Sequence, residues 1–141
     1  MNKPIILISP YAKQMRNGEE NPKNYPWWKE VVLNLKQSGF HTIQLGVHGE
    51  KSINADEFFK NRTLKELKKL VQECHCWISI DTFLGHLGAL VGKPGIVIFG
   101  KSDPKHFGYE QNINLVKDEK YFRKDQFGLW ESEKFDPDSF V

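Results

Sequence analysis

Net charge, sulfur and long apolar runs are all scarce in this 141-residue sequence, and each scarcity removes a class of function. Twenty basic residues against eighteen acidic ones leave a formal charge of +2, too little to hold nucleic acid or an anionic membrane by bulk attraction. An anionic ligand must therefore be held locally, by a few placed groups, and no specific nucleic-acid partner is expected. The two cysteines, Cys74 and Cys76, stand two apart, where strand residues share a face but cannot easily be bridged. Cys74-His75-Cys76 also lacks a second ligand pair elsewhere, so free thiols are expected and no metal. A secretory leader and a bilayer-length apolar stretch are both absent, so membrane insertion is not expected and a cytoplasmic location is. Neither Gly-x-Gly-x-x-Gly after the first strand nor a lysine closing a glycine run occurs, which removes the usual dinucleotide and P-loop readings.

What is present reads as strands alternating with helices. Pro4 to Ile8 is a continuous apolar run, expected of a central strand covered on both faces, and it ends at Ser9-Pro10. Tyr11 to Asn24 is polar with turn signals at Asn17-Gly18 and Asn21-Pro22, a loop long enough to fold over a ligand. Pro26 suits a first helical position, and Trp27, Trp28, Val31, Val32 and Leu35 recur at helical spacing up to Ser38-Gly39. Ile43, Leu45 and Val47 alternate as a second strand that runs into Gly46-Val47-His48-Gly49-Glu50. Lys51 to Arg62 fits either a short edge strand or an extra turn. Thr63-x-x-Glu66 is a capping box, opening a helix whose expected buried stripe is Leu64, Leu67, Leu70 and Val71. Cys76 to Ile80 is the next strand, followed by a helix ending near Gly92-Lys93-Pro94. Ile96 to Phe99 and Ile113 to Val116 are further strands. The fold class expected is α/β, a single Rossmann-like, doubly wound parallel sheet over residues 1–116. Residues 117–141 alternate charges with aromatics, too many for disorder. They predict either a terminal helix folded back on the sheet or a docking surface for a second chain.

Four strand ends carry small or polar residues: Ser9-Pro10, Gly46-Val47-His48, Asp81-Thr82 and Gly100-Lys101-Ser102. In an open parallel sheet such ends converge on one crevice, where doubly wound folds bind ligands. The run Asp81-Thr82-Phe83-Leu84-Gly85-His86 carries most information, because it joins a buried strand to a helix whose first amides would face that crevice. Such amides hold phosphate well. Thr82 is the expected cap, with Asp81 either a second cap or the residue that orients the turn. His86, one turn in, either packs as a neutral ring or bonds a ligand. Gly85 and Gly88 suit close packing of helix on sheet.

These residues resemble the carboxyl-terminal half of the ADP-heptose:lipopolysaccharide heptosyltransferase family, enzymes of the GT-B fold. The family's run of Asp-Ser/Thr-Gly, two residues and His, then Gly-x-Pro, an apolar strand and Phe-Gly-x-Thr-Asp-Pro stands here as Asp81 to His86, Gly92-Lys93-Pro94 and Phe99-Gly100-Lys101-Ser102-Asp103-Pro104. Phe83 occupies the motif's glycine. Lys23-Asn24-Tyr25-Pro26 is similar to the family's Lys-x-Trp-Pro, and Gly46 to Glu50 to its glycine-rich turn ending in Glu. The resemblance implies the donor lobe of a glycosyltransferase. Helix amides after Asp81 would hold the diphosphate of a nucleotide-sugar, with Lys23 and Ser9 reaching its oxygens. Gly46, His48, Glu50, Lys101 and Ser102 would complete the site. No cofactor is implied beyond that donor. The resemblance covers only the donor half, so the acceptor and the catalytic base would come from a partner chain or a second copy, reached through the tail. The alternatives are a nucleotide-binding module without catalysis and a structural subunit of a larger enzyme.

Overall fold

A computed structural model describes residues 2–141. Its chain order is β1 (Ile5–Ser9), α1 (Trp28–Gln37), β2 (His41–Gly46), β3 (Glu57–Lys60), α2 (Leu64–Glu73), β4 (Cys76–Ile80), α3 (Phe83–Val91), β5 (Ile96–Phe99), α4 (Pro104–Phe107) and β6 (Ile113–Val116). The six strands form one parallel sheet in the order β3-β2-β1-β4-β5-β6. The order reverses between β1 and β4, so the connections leaving these two strands diverge to opposite faces and open a crevice at their carboxyl ends.

Each strand's alternation divides its side chains between two cores. Ile6, Ile8, Ile78, Ile80 and Ile98 meet Trp28 and Val32 of α1 on one face. Leu7, Ile43, Leu45, Trp77, Val97 and Phe99 meet α2 and α3 on the other. Continuous apolar strands are the consequence of two covered faces. Trp77 is fully buried and donates its indole N–H to the carbonyl of Lys93 at 2.9 Å. A Cβ on Gly88 would come within 2.5 Å of that indole, and one on Gly95 would overlap it. Gly88 is therefore a packing residue of α3, which ends at Gly92 in the left-handed conformation (φ 72°).

The connection from β2 to β3 has no helix. Ile53 fills that place in the core, 1% exposed, and β2's own buried polar side chains tie down the loop around it. Gln44 donates to the carbonyl of Lys51 and accepts from the amide of Ile53 (2.8 and 2.9 Å). Thr42 gives its amide and hydroxyl to Asp56 (2.8 and 3.1 Å) and accepts from the amide of Asp56. Asp56's carboxyl is accordingly held below its ordinary range, first by the backbone bond from Thr42.

Several expectations shift. The first helix begins at Trp28 rather than at Pro26, and Trp27 stays exposed. Val47 lies beyond β2 and is exposed, because the strand ends at Gly46. The capping box of Thr63 and Glu66 forms as read, but Leu64 is exposed, since the first residue after the cap points away from the sheet. Where the tail predicts a helix, the structure has three single 3-10 turns, Glu119–Tyr121, Trp130–Ser132 and Pro137–Ser139, the first capped by Asp118 and the third by Asp136 with Pro137 at its start. The tail nevertheless packs inward. Phe140 is 2% exposed, meets Tyr25 edge-on at 5.8 Å and occupies the space above Gly100, where a Cβ would lie 2.7 Å from its ring. Among the described residues no helix is long and apolar enough to cross a membrane.

Candidate functional site

The crevice at the switch between β1 and β4 has a volume of about 1030 Å³. Its floor is Ser9 at the end of β1 and Gly46 at the end of β2, its far wall Asp81, Thr82 and Phe83 where β4 passes into α3, and its rim the 11–24 loop. That loop is fixed by buried asparagines. Asn24 accepts from the amide of Ala12 (2.8 Å) and donates to Glu20 (3.0 Å). Asn21 donates to the carbonyl of Lys13 (2.9 Å) and accepts from the amide of Lys23 (3.0 Å). Trp28 closes the turn from below by donating to the carbonyl of Pro10 at 3.0 Å.

The loop so held carries Lys23 to the entrance of α3. Its ammonium donates to the main-chain carbonyl of Asp81 at 3.2 Å and lies 3.6 Å from that residue's carboxylate. The carboxylate distance exceeds hydrogen-bond range, and an ammonium has three donors, so charge and donors remain for a further partner. Thr82 stands at the N-cap of α3 in extended conformation, yet its hydroxyl makes no capping bond. It faces Ser79 Oγ at 3.1 Å instead. The helix therefore opens on the crevice with no hydroxyl from Thr82 on its first amides, beside a lysine: two elements that favour an anion.

At the other end, Gly46 passes beneath Glu50. A Cβ there would sit 2.6 Å from Glu50 Oε2, so glycine is needed for the carboxylate to fold over the strand end. That Oε2 is buried and has no hydrogen-bond partner. Desolvation raises Glu50's pKa, with the backbone of Val47 opposing in part. A buried acceptor without a donor is the complement of a ligand hydroxyl. Asn61, left-handed at φ 54°, donates its amide to the carbonyl of Gly46 (2.9 Å) and accepts from the amide of His48 (3.3 Å), locking the ends of β2 and β3 together. Tyr11 lines the same space. Burial first, then Glu20 and Glu50, push its phenol up, so it stays protonated.

Of the residues singled out from sequence, Ser9, Lys23, Gly46, His48, Glu50, Asp81, Thr82 and Phe83 line the crevice. The others lie elsewhere. Leu84 is fully buried in the second core, and Gly85 faces Val97. His86 is on the exposed side of α3, hydrogen-bonded to the hydroxyl of Tyr109 at 2.7 Å. Lys101 turns to Glu133 at 3.4 Å, and Ser102 is buried under the tail. The tail has taken the end of β5 for itself. Sequence reading missed Tyr11, Asn24, Asn61 and Trp130. For Asn61 a faint signal existed, an asparagine at a strand end, the residue type that best tolerates the left-handed region. For Trp130 there was none, because it lies far along the chain from every motif.

Comparison with known proteins places this geometry. No curated protein matches the sequence. Among solved structures, the ADP-heptose lipopolysaccharide heptosyltransferase II of E. coli superposes with a TM-score of 0.67 at 15% identity, over 89% of this chain and 42% of that one. E. coli heptosyltransferase WaaC with ADP gives 0.61 at 19%, over 79% and 37%. The glycosyltransferase family 9 protein of Veillonella parvula gives 0.64 at 18%, over 82% and 36%. The chain thus spans well under half the length of these structures, and at such identities the likeness shows the fold. A profile described as glycosyltransferase family 9 (heptosyltransferase) matches residues 1–128. With the whole six-stranded sheet and both walls of its crevice inside that match, the chain belongs to glycosyltransferase family 9.

Proposed function

We propose that this domain binds a nucleotide-diphosphate sugar in the crevice between β1 and β4 and presents it for glycosyl transfer to an acceptor held by a partner chain or a second copy. The observation that carries the reading is Lys23, pinned by the 11–24 loop beside the opening of α3, with donors left over after its bond to Asp81. The diphosphate lies across Lys23 and the first amides of α3, in charge-assisted hydrogen bonds. The nucleoside extends toward Gly46, where the unpartnered Oε2 of Glu50 accepts from a ribose hydroxyl. WaaC, of the same fold, has been described with ADP and with ADP-2-deoxy-2-fluoro heptose.

In the transfer an acceptor hydroxyl attacks the anomeric carbon and the bond to the β-phosphate oxygen breaks. Charge then develops on the leaving diphosphate, and Lys23 with the α3 amides stabilises it where it forms. The proton of the acceptor goes to a base outside this crevice. A second reading is binding without turnover, which needs only the groups that would hold the anion, Lys23 and the first amides of α3. A thermal-shift screen of nucleoside diphosphates and their sugars tests binding. A ligand at about a hundred times its dissociation constant adds about 2.7 kcal/mol, a rise of about 9 °C for a domain of this length. No shift with any diphosphate removes the proposal. A shift without transfer or hydrolysis leaves the second reading.

A further inference from the structure

Trp130 belongs to the tail, just past the residues that match the family, yet it lines the crevice. Its ring contacts two cations: Lys23 Nζ at 5.2 Å and the guanidinium of Arg123 at 4.1 Å from the centroid. Arg123 is the fixed member of the pair. Its side chain is 1% exposed, donates to the carbonyl of Leu129 at 3.0 Å and lies 3.4 Å from Glu133, which also meets Lys101. The Arg123 amide donates to the carbonyl of Lys101 at 3.0 Å, tying this arrangement to the exit of β5. A ring stacked on a buried, anchored guanidinium has little freedom. Lys23, by contrast, is a flexible side chain on a loop, with a carboxylate close enough to collapse onto.

We infer that Trp130 is a positioning residue: it holds the Lys23 ammonium over its π face, beyond hydrogen-bond reach of the Asp81 carboxylate with which it pairs at 3.6 Å, leaving donors free for the diphosphate. The C-terminal tail is then a built part of the anion site. The attraction of an ammonium for an indole face supplies the physical means. The same tail grips the loop a second time, where Phe140 packs on Tyr25 and the Tyr25 hydroxyl donates to the carbonyl of Val141 at 3.3 Å. The inference rests on the reading of Lys23 as the diphosphate's ligand for its functional meaning, though not for its geometry.

The test is a double-mutant cycle on the full chain, with ADP binding read by calorimetry and the Lys23 side-chain methylenes read by NMR without ligand. Trp130→Ala is expected to weaken ADP about five- to tenfold, while Trp130→Phe, which keeps a π face, stays within about twofold of wild type. In a Lys23→Met background, Trp130→Ala should cost nothing further, because its effect passes through the lysine. The ligand-free protein should show ring-current shifted Lys23 signals that Trp130→Ala abolishes and Trp130→Phe retains. Additive losses in the cycle, or wild-type affinity in Trp130→Ala, overturn the inference. If wild type binds no diphosphate at all, the donor reading fails, and the Lys23 signals alone decide: shifted, the positioning stands; unshifted, it falls. Should Trp130→Ala release the tail, seen as loss of the Phe140 ring's packing shifts, the Trp130→Phe and Lys23→Met pair decides by the same criteria.

Discussion

Replacing Lys23 by methionine separates charge from bulk at the centre of the proposed site. In the proposed complex the ammonium contributes a charge-assisted bond to the diphosphate, and such bonds are worth about 1.5–3 kcal/mol. At about 1.4 kcal/mol per tenfold, Lys23→Met should weaken ADP by about 10- to 150-fold. The stability cost is of another order. The Lys23 and Asp81 side chains are 24% and 12% exposed and stand 3.6 Å apart. A partly solvated pair of that kind contributes at most about 1 kcal/mol, so the midpoint should fall by no more than about 3 °C. Titration calorimetry with ADP and with adenosine distinguishes the two, since adenosine carries no phosphate and should bind the variant as it binds wild type. The salt dependence of ADP affinity should also flatten, because a screened charge has been removed. Equal losses for ADP and adenosine, or ADP affinity within about twofold of wild type, would refute the assignment of the anion to Lys23.

Further outcomes follow from the same geometry. Glu50's pKa lies above 4.5 in the folded protein because burial disfavours its charge, so folding stability should decline as pH rises from about 4.5 through the raised value. Glu50→Gln should remove that decline and raise the denaturation midpoint at pH 7, yet weaken adenosine and ADP alike by replacing an acceptor with a donor, as measured by urea melts across pH and by calorimetry. Gly95→Ala drives a methyl into the buried indole of Trp77, which its bond to Lys93 holds in place. Overpacking of this kind costs about 1–3 kcal/mol, visible as a lower urea midpoint. Phe140→Ala empties a buried ring site over Gly100, at about 3–5 kcal/mol. It should lower the thermal midpoint by about 10 °C or more and make the tail protease-sensitive.

On the proposed reading, a chain of net charge +2 holds a diphosphate by local rather than bulk attraction. Lys23 and the first amides of α3 meet at one end of the crevice, whose lining also carries Lys13, Lys51 and Arg62 set against Glu19, Glu20, Glu50 and Asp81. In that proposal an anion is accepted only where its phosphates reach Lys23 and its hydroxyls reach Glu50. That arrangement favours a ligand bearing both groups over free phosphate.

Local chemistry made much of this legible in the sequence. Unbroken apolar strands, the Thr63 capping box, the stop at Gly92 and the polar strand ends depend on neighbours a few residues away, and each appears in the structure as read. The convergence of Ser9, Gly46 and Asp81 followed from topology, since parallel strands joined through one switch point must bring their carboxyl ends together. What the sequence could not determine was which face or end each late segment would cover. Lys101, Ser102 and Gly100 read as a fourth strand end open to ligand, but the tail folds onto them and brings Phe140, Glu133 and Arg123 there. His86 points outward because α3 turns its Leu84 and Leu87 face to the sheet. Ile53 fills a core position that a helix normally covers, held by Gln44 across a loop. Trp130 reaches Lys23 across more than a hundred residues of chain. Periodicity and caps register only nearest neighbours, whereas these contacts exist because two distant surfaces exclude water together, and only the folded sheet brings those surfaces into contact.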